Sequence, residues 1–548
     1  MKQPNTAFSI DNANGKHEVC ALWRERFAGP QSDDDSGYES AEDLFFEKSG
    51  SFHFTPKNVL DAIRSTPGDK AYDNSSCGMS PRLYQSTVVA ECLSVAFNHL
   101  CTRERTQPKP GRTFRFYLRP TLKDQQKAKS ISKSYRPLSI SGLTLVFYER
   151  VLTEEMADGI ETLLPKLSFA YRKKRGTSMP ILKLKQLLQR KGTIAVFLDA
   201  SDAFGCINWR IMFKMLRDKG FDSNLIAAIN RLYVNSGGRV VWQGVSSEWF
   251  KLTKGVRQGG SISGHLFNLY FSMLDVGLGR VEILFYADDL VVIATHPWAL
   301  TSFLHDLQRV SRQLHVQWNP SKCKVLQMSS TYKHTFWLLG KPLENVNRFV
   351  YLGWIIVRKL KNCDDEQAMR QAGRFYAAAH EICQSYDFAK RLPLNERINL
   401  AKCFGSLYAP EAFTSVSDRA FSKLRAAHRY LYMKVTGWNG IEVVEAGSSN
   451  RSQSIHSEDS DEEYYDTRSR WLYAHAATIP KETQHTHIRG MQPNGQLVVE
   501  HLRPAPCPQF QLRKAQWRMQ RVLGSLDVPL DLSKNRLSKN IVRVLAPG

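Results

Sequence analysis

Two places in the sequence put carboxylates where an apolar run meets polar chain. The run TIAVFLD (193–199) ends in Asp199, and ILFYADDLVVIA (283–294) carries Asp288 and Asp289 at its centre. Short apolar runs of this length suit strands buried on both faces. Adjacent aspartates at the end of such a strand repel one another and lose hydration, and a divalent cation offsets both costs. Two Mg²⁺ ions, or Mn²⁺ in their place, held by such acids activate an attacking 3′-hydroxyl and neutralise leaving pyrophosphate in an in-line displacement. The plainer reading is a β-turn with a solvated Asp–Asp pair. Against it stand the regular hydrophobic flanks and the second acid-tipped strand upstream.

The elements that must position these acids are legible in outline. Residues 283–286 and 290–294 predict two strands of a hairpin with the acids at its tip, and 193–198 a third strand. Helices are predicted over 207–220, 225–233 and 299–314, and a hairpin over 239–252. Upstream, Thr55 followed by Pro56 opens a helix with Val59, Leu60 and Ile63 on one face, and a second helix runs over 84–100. Residues 106–134 read as basic strand and loop, and 364–438 as mostly helical.

Composition narrows the partners. The chain has 548 residues, with 75 Lys and Arg against 52 Asp and Glu, for a net charge of +23. Seven acids and one base lie in 31–50, six acids and one base in 448–466, and the other 509 residues carry a net +34. That excess calls for a polyanion, most often nucleic acid, with an anionic membrane surface as the competing partner. No apolar run approaches the roughly 18 residues of a membrane span, so no membrane is expected. The first twenty residues have no apolar signal core. Ten cysteines without a CxxC pair read as reduced intracellular thiols. His485, His487, His501 and Cys507 fit no zinc spacing.

Seven motifs in order carry a family resemblance. FYADDL (285–290) resembles the (F/Y)xDD box of reverse transcriptases, and FLDASDAF (197–204) their first aspartate motif. GVRQGGSIS (255–263) is similar to the Gln-Gly loop between them, SYRPLSI (134–140) to the fingers motif and FAYRKKRGT (169–177) to the segment after it. WNPSKCK (318–324) and FVYLG (349–353) resemble the last two palm motifs. The Ala before the two acids, Arg257 within GVRQG and GSLYAPEA (405–412) resemble the non-LTR, LINE-like retrotransposon enzymes.

The resemblance implies an α+β right hand. Its parts would be a disordered acidic tail (1–50), a helical extension (51–105), fingers (106–190), a palm with a small antiparallel sheet backed by helices (191–355, with a fingers insertion around 210–252) and a helical thumb (356–445). An acidic disordered linker (446–470) and a basic C-terminal segment (471–548) would follow. The implied activity is RNA-directed DNA synthesis from a primer 3′-hydroxyl on an RNA template, using dNTPs. Asp199, Asp288 and Asp289 become the metal ligands, with Asp289 the least direct.

Lys322 matches the lysine that would protonate pyrophosphate, against a surface-lysine reading. Phe204, five residues after Asp199, would clash with a 2′-hydroxyl and so select DNA as product, against a core-aromatic reading. Gln258 and Gly259 fit a loop passing close to template and nucleotide. Lys123 and Arg136 fit the triphosphate, with Arg119 or Lys127 competing for the place of Lys123. Arg172, Lys173 and Arg175, with Lys174 in the same run, are placed on the template backbone, against a solvated-face reading, and Tyr351, Leu352 and Gly353 at the primer end.

The chain departs from the pattern twice: Gly205 stands where relatives carry a second acid, and 69–78 replaces the usual stretch before the fingers. Neither an endonuclease nor an RNase H acid set is recognisable, so polymerase plus basic accessory segments is expected. SEDSDEE (457–463) resembles an acid-directed kinase site. The competing functions are an RNA-dependent RNA polymerase, which would carry Gly before the acids and a small or acidic residue for Phe204, and a host-adopted RNA-binding scaffold. A nuclear site of action is expected if chromosomal DNA primes synthesis.

Overall fold

In a computed structural model the described residues are 50–68, 80–101, 113–120, 135–233, 236–242, 245–277, 279–328, 334–384, 394–414 and 416–436, with 20, 21, 24, 392 and the short strands 488–491 and 497–499. They fall into two compact units, 1–176 with 190–346 and 177–189 with 347–548. The expected tail, linker, kinase-like site and most of the basic C-terminal segment lie outside the described residues.

The first unit opens with helices α1 (Pro56–Ser65) and α2 (Thr87–Cys101). Thr55 caps α1 through a reciprocal box with Asn58, and Val59, Ala62 and Ile63 face the core. Strands β1 (Thr113–Pro120) and β2 (Tyr135–Ile140) pair antiparallel, and β1 runs parallel to β4 (Gly237–Trp242). Two-residue strands β5 (Val245–Ser246) and β6 (Phe250–Lys251) complete this sheet on β4, so the expected 239–252 hairpin pairs into the sheet of β1 and β2. Helix α3 (Leu143–Leu163) follows β2.

The second sheet of this unit is built on β3 (Ile194–Ser201), whose residues are buried up to Leu198 and half-buried at Asp199. β8 (Asp289–Ala294) is its mirror, exposed at Asp289 and buried from Leu290 onward. Strand β7 (Glu282–Tyr286) pairs with β8 on one side, and β10 (Lys324–Gln327) pairs with β3 on the other. β9 (Gln317–Trp318) caps the end of β3, and β13 (Glu344–Asn345) runs parallel to β10. A small hairpin, β11 (Trp337–Leu338) and β12 (Lys341–Pro342), lies between them in sequence.

Amphipathic helices back the sheet. In chain order, α5 (Trp209–Asp218), α6 (Ser223–Tyr233), α7 (Ser263–Ser272) and α8 (Pro297–Gln313) contribute to one continuous core, α5 and α8 by one face and α6 and α7 by most of their residues. Asn208 starts α5 by accepting the Ile211 N–H at 3.2 Å, and Pro297 starts α8.

Helix α4 (Ser178–Leu188) belongs to the second unit, although 106–190 was expected to be fingers. The reason is a buried polar network. Lys185 Nζ lies 2.5 Å from Asp364 Oδ1, 2.9 Å from the Ala412 carbonyl and 3.0 Å from Thr414 Oγ1, while Asp364 Oδ2 accepts the Thr414 N–H at 2.8 Å. Every donor of a desolvated ammonium placed there needs an acceptor, and this corner supplies them.

The hairpin β14 (Arg348–Tyr351) and β15 (Trp354–Val357) also joins this unit rather than the palm, because its Ile355 N–H is bound by Gln367 of α9 (Cys363–Gln384). Helices α10 (Leu394–Phe404) and α11 (Asp418–Thr436) complete the helical unit.

His428 of α11 is buried between Phe375 and Tyr432, and burial pushes its imidazole pKa down to about 4. A folded pKa below the unfolded value means the unfolded chain takes up the proton first. This contribution is therefore intact above about pH 6.5 and is lost as pH falls toward 4, amounting to about 3 kcal/mol. Thermal melts between pH 7 and 4.5 should show this loss, and His428→Leu should flatten the slope. An unchanged slope refutes the assignment.

Candidate active site

The acids of the two apolar runs meet across one pair of strands. The β3–β8 register runs from Ile194 opposite Ala294 to Asp199 directly opposite Asp289. Cross-strand partners of this kind have Cα atoms about 4.5–5.5 Å apart, and like charges facing each other there are destabilising. Asp288 sits in the two-residue turn between β7 and β8, whose first residue, Ala287, has φ +53°. The turn projects Asp288 and Asp289 into solvent at the end of the buried hairpin.

Asp199 is held by its backbone. Its N–H donates to Cys323 Sγ at 3.3 Å, and its carbonyl accepts from the Asn319 N–H at 2.9 Å. Burial and the nearby Asp199 carboxylate push the Cys323 thiol up to about 11, which keeps it a neutral partner. The carboxylate is less well served. Oδ2 is shielded from solvent and accepts no aligned hydrogen bond, although the Lys322 ammonium lies 3.2 Å away.

Among the described residues no three His, Cys, Asp or Glu side chains converge as a finished metal centre. The donors nevertheless fit a hard cation: carboxylate oxygens, one of them buried and under-satisfied, with like charges opposed. The cation now balancing Asp199 is Lys322, whose side chain is 64 % exposed.

Phe204 follows β3 in a turn that begins with Asp202 at φ +49°. Its half-buried ring stacks on Phe267 of α7, with centroids 4.6 Å apart and planes 11° from parallel. One face is therefore held by the core. Gly205 has a local explanation: a Cβ there would meet the Asp202 carboxylate at 2.5 Å. Gly255, at φ +83°, lies against the same turn and donates its N–H to the Ile207 carbonyl at 2.7 Å.

The Gln258–Gly259 loop approaches backbone of its own chain. The Ser139 N–H donates to the Gln258 carbonyl at 2.8 Å, and a Cβ on Gly259, at φ +120°, would come within 2.7 Å of the Ser139 carbonyl. The glycine is thus required by its approach to β2. The residue before this pair, Arg257, is buried against an equally buried Glu149 of α3, and also donates to Ser141 Oγ at 3.0 Å. Burial pushes its guanidinium down to about 9, so it is charged at neutral pH and Glu149 must balance it.

Arg136 stands on β2 opposite Arg119 of β1, whereas Lys123 and Lys127 lie outside the described residues. Arg172 and Arg175 are turned inward. The 4 % exposed Arg172 side chain binds Glu161 and the carbonyls of Pro165 and Ser168, and these hydrogen bonds hold the Glu161 carboxyl below its usual range. Arg175 donates to the Lys166 and Ser168 carbonyls and sits 5.7 Å over the Phe169 ring. Both clamp their own loop. Lys173 is exposed, 3.1 Å from an exposed Glu154.

In the second unit Tyr351 is buried, and Leu352 (φ +46°) and Gly353 (φ +76°) form the two-residue β14–β15 turn. Both need positive φ there, as a type I′ turn demands. Tyr408 Oη donates to the Leu352 carbonyl at 2.6 Å, and Arg370 to that of Gly353 at 3.2 Å. Glu149, Ser139 and Tyr171 were not singled out in the sequence. A glutamate inside an apolar helix face was the one available signal, for Glu149.

The chain is similar to known proteins over part of its length. Residues 123–356 match the family described as "Reverse transcriptase (RNA-dependent DNA polymerase)". A "Retrovirus-related Pol polyprotein from type-1 retrotransposable element R2" of Nasonia vitripennis is 24 % identical over 283 residues, covering 49 % of this chain. The chain spans 27 % of that polyprotein's length. Solved structures of Candida tropicalis telomerase, 12 % identical, align with TM-scores of 0.34 and 0.35. The first covers 46 % of this chain and 55 % of the telomerase chain, the second 61 % and 62 %.

Proposed function

With a reverse-transcriptase domain at residues 123–356 as the premise, we propose that this chain is an RNA-directed DNA polymerase of the non-LTR retrotransposon kind. It extends a DNA primer with dNTPs on an RNA template. The observation that carries the reading is Asp199 facing Asp289 across β3 and β8, with Asp288 at the adjoining turn.

Asp199, Asp288 and Asp289 would hold divalent cations, whose chemistry is to favour the ionised 3′-hydroxyl and to neutralise charge on the departing pyrophosphate. The chain's own residues do the rest. The β3–β8 ladder fixes two carboxylates with no rearrangement at the moment of reaction. Lys322, exposed and already beside Asp199, is placed to give a proton to pyrophosphate. Phe204, backed by Phe267, presents its ring beside the sugar and excludes a 2′-hydroxyl. Arg136 and Lys123 serve the triphosphate, Lys173 and the glycine loop the template, and the 351–353 turn the primer end. The net positive charge of +23 favours both nucleic-acid strands. Chromosomal DNA as primer would place the work in the nucleus.

The test is primer extension by the purified chain on matched RNA and DNA templates with Mg²⁺ and either dNTPs or rNTPs. The expected result is dNTP incorporation on RNA that Asp288→Ala abolishes. Extension with rNTPs alone identifies an RNA polymerase. RNA binding without any extension identifies a scaffold.

A further inference from the structure

Tyr171 occupies a position that its own loop strains to maintain. It has φ +54°, a region that a bulky residue enters only at a cost, and its large aromatic side chain is left 47 % exposed. Independent contacts hold it there. Phe285 of β7 donates its N–H to the Leu167 carbonyl at 2.9 Å and accepts the Phe169 N–H at 2.9 Å, so the loop is stitched to the strand that leads into the acid-bearing turn. Asn268 of α7 donates to the Ala170 carbonyl at 2.6 Å. Arg172, on the other side, is fixed by Glu161, Pro165 and Ser168.

Helix α7 even leaves room for the ring: a Cβ on Gly264 would lie 2.6 Å from Tyr171 Cγ. The ring so held meets the Phe204 ring edge-on, with centroids 6.3 Å apart and planes at 79°. Phe204 therefore has two aromatic neighbours, Phe267 stacked and Tyr171 perpendicular. Edge-to-face pairs in this distance range favour one relative orientation.

We propose that Tyr171 is a positioning residue for sugar discrimination, a buttress that holds the Phe204 ring in the orientation that excludes a 2′-hydroxyl. The inference rests on the reading of Phe204 as the residue beside the incoming sugar. It assigns the strained loop and the small Gly264 one shared purpose: a rigid aromatic wall supported from two elements distant in sequence.

The readout is the ratio of kcat/KM for dNTP over rNTP on a primed RNA template. Tyr171→Ala should lower that ratio about tenfold, while Tyr171→Phe, which keeps the ring, should retain it. Gly264→Ala leaves Tyr171 itself unchanged but pushes its ring aside, and should lower the ratio in the same direction. In a Phe204→Ala background, Tyr171→Ala should add nothing further. A ratio unmoved by both Tyr171→Ala and Gly264→Ala overturns the assignment. So does a Tyr171→Phe variant that loses kcat, which would give the role to the hydroxyl. A wild-type chain that extends with neither nucleotide overturns the polymerase reading, and the sugar assignment with it.

Discussion

Asp199→Asn is expected to lower primer extension on RNA on the order of 10³-fold, the scale of removing one preorganised charge-stabilising group, with little change in melting temperature. The dissociation of activity from stability follows from the register. Asp199 faces Asp289 directly, so neutralising it relieves like-charge repulsion. The ion pair with Lys322 that is lost at the same time involves a 64 % exposed lysine, and pairs of that sort contribute about 0–1 kcal/mol. The two changes oppose one another and leave stability near its starting value.

Asparagine keeps the shape and the backbone bonds to Cys323 and Asn319. Asp289→Asn should cost less activity, because its carboxylate is exposed where Asp199 Oδ2 is shielded. The measurement is steady-state extension beside a thermal melt of each variant. An Asp199→Asn protein within tenfold of wild type would remove the central carboxylate from the mechanism.

Glu149→Ala should destabilise the first unit by about 3–5 kcal/mol, the cost of leaving a buried charge without its partner. Glu149 is 1 % exposed and Arg257 3 % exposed, and Glu149 Oε2 also accepts the Ser261 N–H at 3.1 Å. Removing the carboxylate strands a guanidinium that is charged at neutral pH and frees the start of the segment leading into α7. The Gln258–Gly259 loop adjoins Arg257, so activity should fall with stability rather than independently of it. Replacing both partners by apolar residues of similar volume, Glu149→Leu with Arg257→Met, should recover most of the loss. Denaturant titrations of the single and double variants check this. A near-neutral Glu149→Ala would mean the pair is not desolvated in solution.

Much of the fold was legible before any coordinates. The run 193–199 and the run 283–294 declared themselves as buried strands, and both are. Helices expected at 207–220, 225–233 and 299–314 are found as α5, α6 and α8, with ends moved by at most two residues. Domain boundaries were less legible. Segment 178–188 is apolar and helical wherever it packs, and nothing local says that Lys185 will find Asp364, Ala412 and Thr414 more than 170 residues away. The basic run 172–175 was assigned to template backbone over a solvated face, and spacing cannot show that Arg172 closes back on carbonyls four and seven residues earlier.

What this sequence determined by itself is which residues are candidates for the chemistry and which elements carry them: acids on apolar strands, caps on helices, an aromatic five residues beyond Asp199. Hydrophobic period and capping are local properties, and short-range patterns record them. The tertiary structure alone decided that Asp199 faces Asp289, that Gly259 is required by Ser139, that Arg257 is balanced by Glu149, and that Tyr171 leans on Phe204. Each is a pairing across the chain or a backbone dihedral of positive sign. Such features are set by how distant surfaces fit, because burial charges the full cost of every unpaired group and every missing atom only once the partners have met.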